Sequence, residues 1–115
     1  MRPLELARRY MEIVFGGENP EMLRPLCAET FSFSGPFYRY DTAESYIDSL
    51  KSDPPVGFQY TLLKEFADDS SACLLFLFRK PGVQTPMAQF FEIKEGKISK
   101  ILLIFDTRPF LKSTE

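Results

Sequence analysis

Three helix-like stretches come first in this chain, and four strand-like runs follow them with only short turns between. Turns of two to five residues cannot carry a crossover, so the strands should lie antiparallel to their neighbours. Two of the runs, Leu74–Phe78 and Ile101–Phe105, are apolar at every position. A sheet with one wet face alternates apolar and polar residues instead. One face must therefore cover the helices, and the other must meet something too. A second copy of the chain, docked through the outer sheet face as a homodimer, is the simplest candidate.

The spacing predicts a first helix over Pro3–Phe15. Leu6, Tyr10 and Ile13 recur at helical intervals, as do Leu4, Ala7, Met11 and Val14. Gly16-Gly17 ends it, because glycine accepts the left-handed geometry of a helix C-terminus. Asn19 should cap a short second helix that Pro20 begins, with Met22, Leu23 and Leu26 on its buried side. Thr30–Phe33 alternates as a short strand should. Asp41, with Glu44 three residues on, reads as the cap of a third helix whose face carries Ala43, Tyr46, Ile47 and Leu50. Asp53-Pro54-Pro55 stops that helix. The four strands are expected at Val56–Phe66, Ser71–Lys80, Pro86–Lys94 and Lys97–Asp106, divided by Ala67–Ser70, Pro81-Gly82 and Glu95-Gly96.

Charge excludes some functions. With 14 basic and 16 acidic residues the chain carries −2, without the basic stripe that a nucleic-acid partner would favour. No apolar run approaches the ~20 residues of a membrane span. Glu5, Arg8 and Arg9 interrupt any leader-like start, so a cytoplasmic location is expected. There is no histidine, which argues against metal centres and against a serine hydrolase base. Cys27 and Cys73 sit in apolar surroundings and read as small buried hydrophobes. No cofactor is implied.

Gln89 alternates with Met87 and Phe91, so the three share one strand face. If Ile93–Lys97 forms a bulged turn with Gly96 left-handed, Ile101, Leu103 and Phe105 lie beside them. A lone glutamine on that surface needs a partner, since an unpaired buried amide costs roughly 1–3 kcal/mol. Tyr10, a water or a ligand would serve. Tyr10 itself reads equally as a core aromatic or as a donor at a pocket floor. Phe31, Phe33, Phe37, Tyr38, Tyr40, Phe58, Tyr60, Phe76 and Phe78 are mostly core filling, with several left to line an opening. Such a surface suits a small apolar molecule. Asp106 and Arg108 read as an ion pair at the rim, with Asp106 pointing away from the concave side.

Three stretches carry a resemblance: Ala7–Val14, Phe31–Phe37 and Phe105–Phe110. Together with the element order they resemble the nuclear transport factor 2-like superfamily, in its SnoaL-like and ketosteroid isomerase-like branch, over about Leu4 to Phe110. The resemblance implies an α+β fold: a cone-shaped, curved antiparallel sheet of four main strands plus a short one, wrapped around three N-terminal helices. One SnoaL-like domain over 1–115 is expected. It also implies a mostly apolar hollow within the cone, lined by Tyr10, Phe33, Gly35, Phe37, Tyr46, Met87, Gln89, Phe91, Leu103 and Phe105. In ketosteroid isomerase a tyrosine and a protonated aspartic acid form an oxyanion hole, while a second aspartate moves the proton. By resemblance the tyrosine falls on Tyr10, a supporting tyrosine near Tyr46, the base on Gly35 and the protonated acid on Gln89. Glycine accepts no proton and a glutamine amide does not titrate, so that isomerase reaction is not expected. The Asp-Arg-Asp set of limonene-epoxide hydrolase cannot be assembled either. Three readings stay open: binding of a small apolar ligand, a non-catalytic dimerisation or protein-interaction module, and an isomerase- or cyclase-type enzyme with a non-standard site.

Overall fold

A computed structural model describes residues 1–111. The last four positions of the expected 1–115 domain lie outside the described residues. Helix α1 spans Pro3–Phe15, as its apolar spacing predicts. Leu6, Ala7, Tyr10, Met11 and Ile13 are its buried side. A 3-10 helix, Pro20–Leu26, follows under the cap of Asn19, whose side chain accepts from the Glu21 N–H at 3.0 Å. The inner Pro25 suits the tight winding better than an α-helix.

Strand β1 (Cys27–Ser34) is twice the length expected, and a two-residue strand, β2 (Arg39–Tyr40), folds back on it. Helix α2 (Ala43–Ser52) is capped by Thr42, not by the expected Asp41: the Thr42 hydroxyl accepts the Ser45 N–H at 3.0 Å. Then come β3 (Gln59–Ala67), β4 (Ser71–Lys80), β5 (Val83–Lys94) and β6 (Lys97–Phe105). β3 starts three residues later than expected because Gly57, at φ 79°, turns the chain there. β5 starts three residues earlier and passes through Pro86. Pairing with β6 begins only at Met87, so the proline stands where that flank of β5 is open. β6 stops at Phe105 because Asp106 turns to cap a further short helix, α3 (Arg108–Leu111), accepting the Arg108 N–H at 3.0 Å.

The six strands form one curved, unclosed sheet in the order β2-β1-β6-β5-β4-β3. The sheet is mixed and not wholly antiparallel as expected, since β1 runs parallel to β6. The β5–β6 hairpin also departs from expectation. Glu95 and Gly96 both take positive φ (52° and 76°), which makes a two-residue turn between the paired Lys94 and Lys97. The bulge sits farther on, where the register shifts and the buried Ser99 hydroxyl donates to the Glu92 carbonyl at 3.0 Å.

Alternation sorts the sheet residues. Ala72, Leu74, Phe76 and Phe78 face the helices with Met87, Gln89 and Phe91 of β5, and all are buried. The opposite face carries Phe66, Cys73, Phe90 and Leu102 in one row of register and Leu75, Ala88 and Ile104 in the next. Among the described residues no helix is long and apolar enough to cross a membrane.

Candidate functional site

Tyr10 rises from the middle of α1 and Tyr46 from the first turns of α2. Their hydroxyls meet in a hydrogen bond. Gln89 reaches from β5 and donates through Nε2 to the Tyr10 oxygen at 3.3 Å. Three elements thus join in one polar chain, Tyr46–Tyr10–Gln89. Tyr10 and Gln89 are each only 3% exposed. Burial pushes the Tyr10 hydroxyl up to about 12 and the Tyr46 hydroxyl well above the ordinary tyrosine value. Both therefore keep their protons and act as neutral donors. Cys27, on β1 nearby, is held as a thiol in the same way, its value pushed up to about 11 by burial.

The chain has more hydrogens than its internal bonds use. Each tyrosine brings one O–H, and the glutamine brings two N–H groups and a carbonyl. Every buried side-chain N or O among the described residues has a partner. Counting hydrogens gives another answer. If Gln89 donates to Tyr10 and Tyr10 to Tyr46, the Tyr46 hydrogen and one amide hydrogen remain. If the amide is turned so that its oxygen accepts from Tyr10, both amide hydrogens remain. In either arrangement two hydrogens lack an acceptor among the described residues, and in the first the Gln89 carbonyl lacks a donor as well.

Aromatic rings wall the chain. Phe91 stands edge-on to Tyr10 at 5.2 Å between ring centres. Phe33 stacks on Tyr46 at 4.8 Å, with Tyr40 at 5.5 Å and Phe31 at 5.7 Å. Gly35 lies on the same wall. Its φ is not in the left-handed region, and a Cβ there would meet Phe33 Cε1 at 3.4 Å and Leu103 Cβ at 3.6 Å. Leu103 is the register partner of Gln89. The residue at position 35 thus faces the concave side beside the polar chain, and glycine leaves room there.

The remaining expected site residues lie toward the cone mouth. Met87 and Phe105 are register partners one rung beyond Gln89 and Leu103. Phe37 is largely exposed and contacts both Phe105 and Phe110, at 5.5 and 5.6 Å. Phe110, on α3, also packs on Phe78 at 5.9 Å. The sequence reading did not assign Phe110 to the site, although Asp106-Thr107-Arg108-Pro109 holds a cap and an N-terminal proline. Asp106 is gripped by Arg108 at 2.6 Å on the exposed rim.

Two hollows open beside this wall. One, of about 640 Å3, is lined by Ile13, Val14 and Phe15 of α1, Leu50 of α2 and the Pro54–Phe58 segment. The other, of about 560 Å3, lies between Met11, Glu12 and Phe15 and the β3 edge at Phe58–Tyr60, with Arg79. The expected hollow was to be floored by Tyr10 and Gln89; neither hollow is lined by Tyr10, Tyr46 or Gln89. The larger one nevertheless begins one helical turn beyond them. Ile13 follows Tyr10 by three positions and Leu50 follows Tyr46 by four, spacings that put each pair on one helix face.

No family profile and no curated protein matches the chain. Solved structures do. A nuclear transport factor 2-like protein of unknown function from Cytophaga hutchinsonii superposes with a TM-score of 0.81 at 21% identity, covering 96% of both chains. An epoxide hydrolase of the limonene-epoxide hydrolase-like type from Mycobacterium tuberculosis gives 0.77 at 15% identity, covering 94% of this chain and 85% of the other. A protein of the SnoaL-like family from Agrobacterium tumefaciens gives 0.72 at 15%, covering 90% and 97%. The chain has the nuclear transport factor 2-like fold. At these identities the likeness establishes architecture, and chemistry must be argued from the residues.

Proposed function

We propose that this protein binds a compact apolar molecule bearing one hydrogen-bond acceptor, such as a carbonyl. The observation that carries the reading is the surplus of donors in the Tyr46–Tyr10–Gln89 chain. A guest oxygen would accept the hydrogens that the chain leaves over. The apolar body would lie in the larger hollow, against Val14, Leu50 and Phe58. Movement of Ile13 and the surrounding rings would let the acceptor reach Tyr46 or Tyr10. With Gly35 and Gln89 in place of carboxylates, no group on this wall is suited to abstract a proton, so binding is favoured over turnover.

Paired ligands of one shape test this. 2-Acetylnaphthalene carries the acceptor and 2-ethylnaphthalene lacks it. At ten times its dissociation constant, the ketone should raise the melting temperature by about 5 °C, and the hydrocarbon should do less. Equal shifts, or none, would remove the donor chain from the site.

A second reading rests on a separate observation. Phe66 and Ile104 are 54% and 56% exposed on the outer face, in rows with Leu75, Phe90 and Leu102. A contiguous apolar patch of this kind is characteristic of an association surface. It supports a homodimer formed through the sheet, compatible with ligand binding on the inner side. A monomer mass by light scattering at micromolar concentration would count against it.

A further inference from the structure

Lys80 stands at the end of the inner-face series Ala72, Leu74, Phe76, Phe78. It is half-buried, and its ammonium lies 5.5 Å from the centre of the Phe58 ring and 5.2 Å from that of Phe110. Aromatic faces hold a cation without neutralising it. Among the described residues Lys80 has no carboxylate within ion-pair distance, whereas Lys51 is bonded to Glu21. Lys64, Lys94 and Lys100 also lack ion pairs, but they are exposed on the surface. Arg79, next to Lys80, lines the smaller hollow and donates to the Thr61 hydroxyl at 2.8 Å, likewise without a carboxylate. Glu12 and Glu18, the acids of that hollow, are both taken by Arg9. Phe58 and the Arg9-bound Glu18 line both hollows; Lys80 lines neither and would be reached from them past the Phe58 ring.

We infer that the guest is an acid: an apolar molecule with a carboxylate, its body against Phe58 and its charge held by Lys80. This rests on the reading of the hollow as a ligand site and adds to the guest a second polar group, a carboxylate at its Phe58 end, separate from the acceptor that faces Tyr10. A fixed cation, partly removed from water and unspent on any internal partner, gives an anion an attraction that a neutral molecule of the same shape lacks.

Decanoate and decanamide separate the two claims, because they share length and shape and differ in charge. By titration calorimetry at low salt, decanoate should bind about fivefold tighter, the size of effect a partly exposed ion pair gives. Raising the ionic strength to about 0.5 M should shrink that preference. Lys80→Met keeps the stem over Phe58 and should abolish the preference, bringing decanoate affinity down to that of decanamide. Lys80→Arg should retain it, and circular dichroism would confirm that both variants fold. Equal binding of the two probes by the unaltered protein would overturn the role of Lys80 and leave the hollow as a neutral site. A preference that survives in Lys80→Met would do the same. Binding of neither probe would overturn the hollow itself, and this inference with it.

Discussion

The two faces of the sheet are built from alternate residues of the same strands, yet they end in different states. On the inner face, Leu74, Phe76, Gln89, Phe91 and Ile101 are buried under α1 and α2. On the outer face, Phe66, Leu75 and Ile104 are as apolar as their neighbours but remain in water. Composition does not distinguish them; what lies over each face does. The inner face also joins Tyr46, Tyr10 and Gln89 in one hydrogen-bonded chain, and among the described residues the outer face has no such chain. The lesson is that hydrophobicity along a strand reports how many faces will be covered, not by what.

The largest effect should come from emptying the inner face. Phe91→Ala removes a fully buried ring that stands against Tyr10, and should cost about 3–5 kcal/mol by chemical denaturation. A loss below about 1 kcal/mol would mean that the inner face is not the core. The next test is alkaline pH. The folded chain holds the Tyr10 proton to about 12, against a usual value of 10.0. Stability from this group is complete below pH 10 and is lost as pH rises toward 12. The loss should reach roughly 3 kcal/mol over that window. Tyr10→Phe should lessen the decline without abolishing it, because burial raises Tyr46 as well, and an unchanged slope would place the titration elsewhere.

At neutral pH, Tyr10→Phe should cost about 2 kcal/mol, because Tyr46 and Gln89 each lose one hydrogen bond. It should also weaken 2-acetylnaphthalene more than 2-ethylnaphthalene. The smallest effect on folding belongs to the outer face. Ile104→Lys should change monomer stability by no more than about 0.5 kcal/mol, while shifting any dimer toward monomer in analytical ultracentrifugation. If it destabilised the monomer as much as Phe91→Ala, the contrast between the faces would collapse.

Much of this arrangement was legible in the residues. The helical spacing of Leu6, Tyr10 and Ile13 located α1, and alternation along Met87, Gln89 and Phe91 set the inner face of β5. The need to satisfy a lone amide at Gln89 left Tyr10, a water or a ligand as partners, and the fold brings Tyr10 to it. Other features left no local mark. Asp41 and Thr42 are both good caps, and only the path of the chain selects the threonine. The parallel β1–β6 pairing joins distant segments that no window of sequence connects. The two hollows depend on how the ends of α1 and α2 meet the Pro54–Phe58 segment, a tertiary outcome. Tyr46 entered through resemblance alone, since its spacing reads as ordinary helix packing.

The parallel joining of β1 to β6 also bears on how the chain assembles. Phe33 pairs with nearby Tyr40 on one side, but its partner on the other is Ile101, more than half the described chain away. The β3–β4–β5–β6 meander can zip up through successive neighbours, but β1 and β2 must wait for its last strand before they have an edge to join. Folding should therefore be paced by one long loop closure. Until that closure, Phe31 and Phe33 have no wall to complete, and Tyr46 has no stacked ring beneath it.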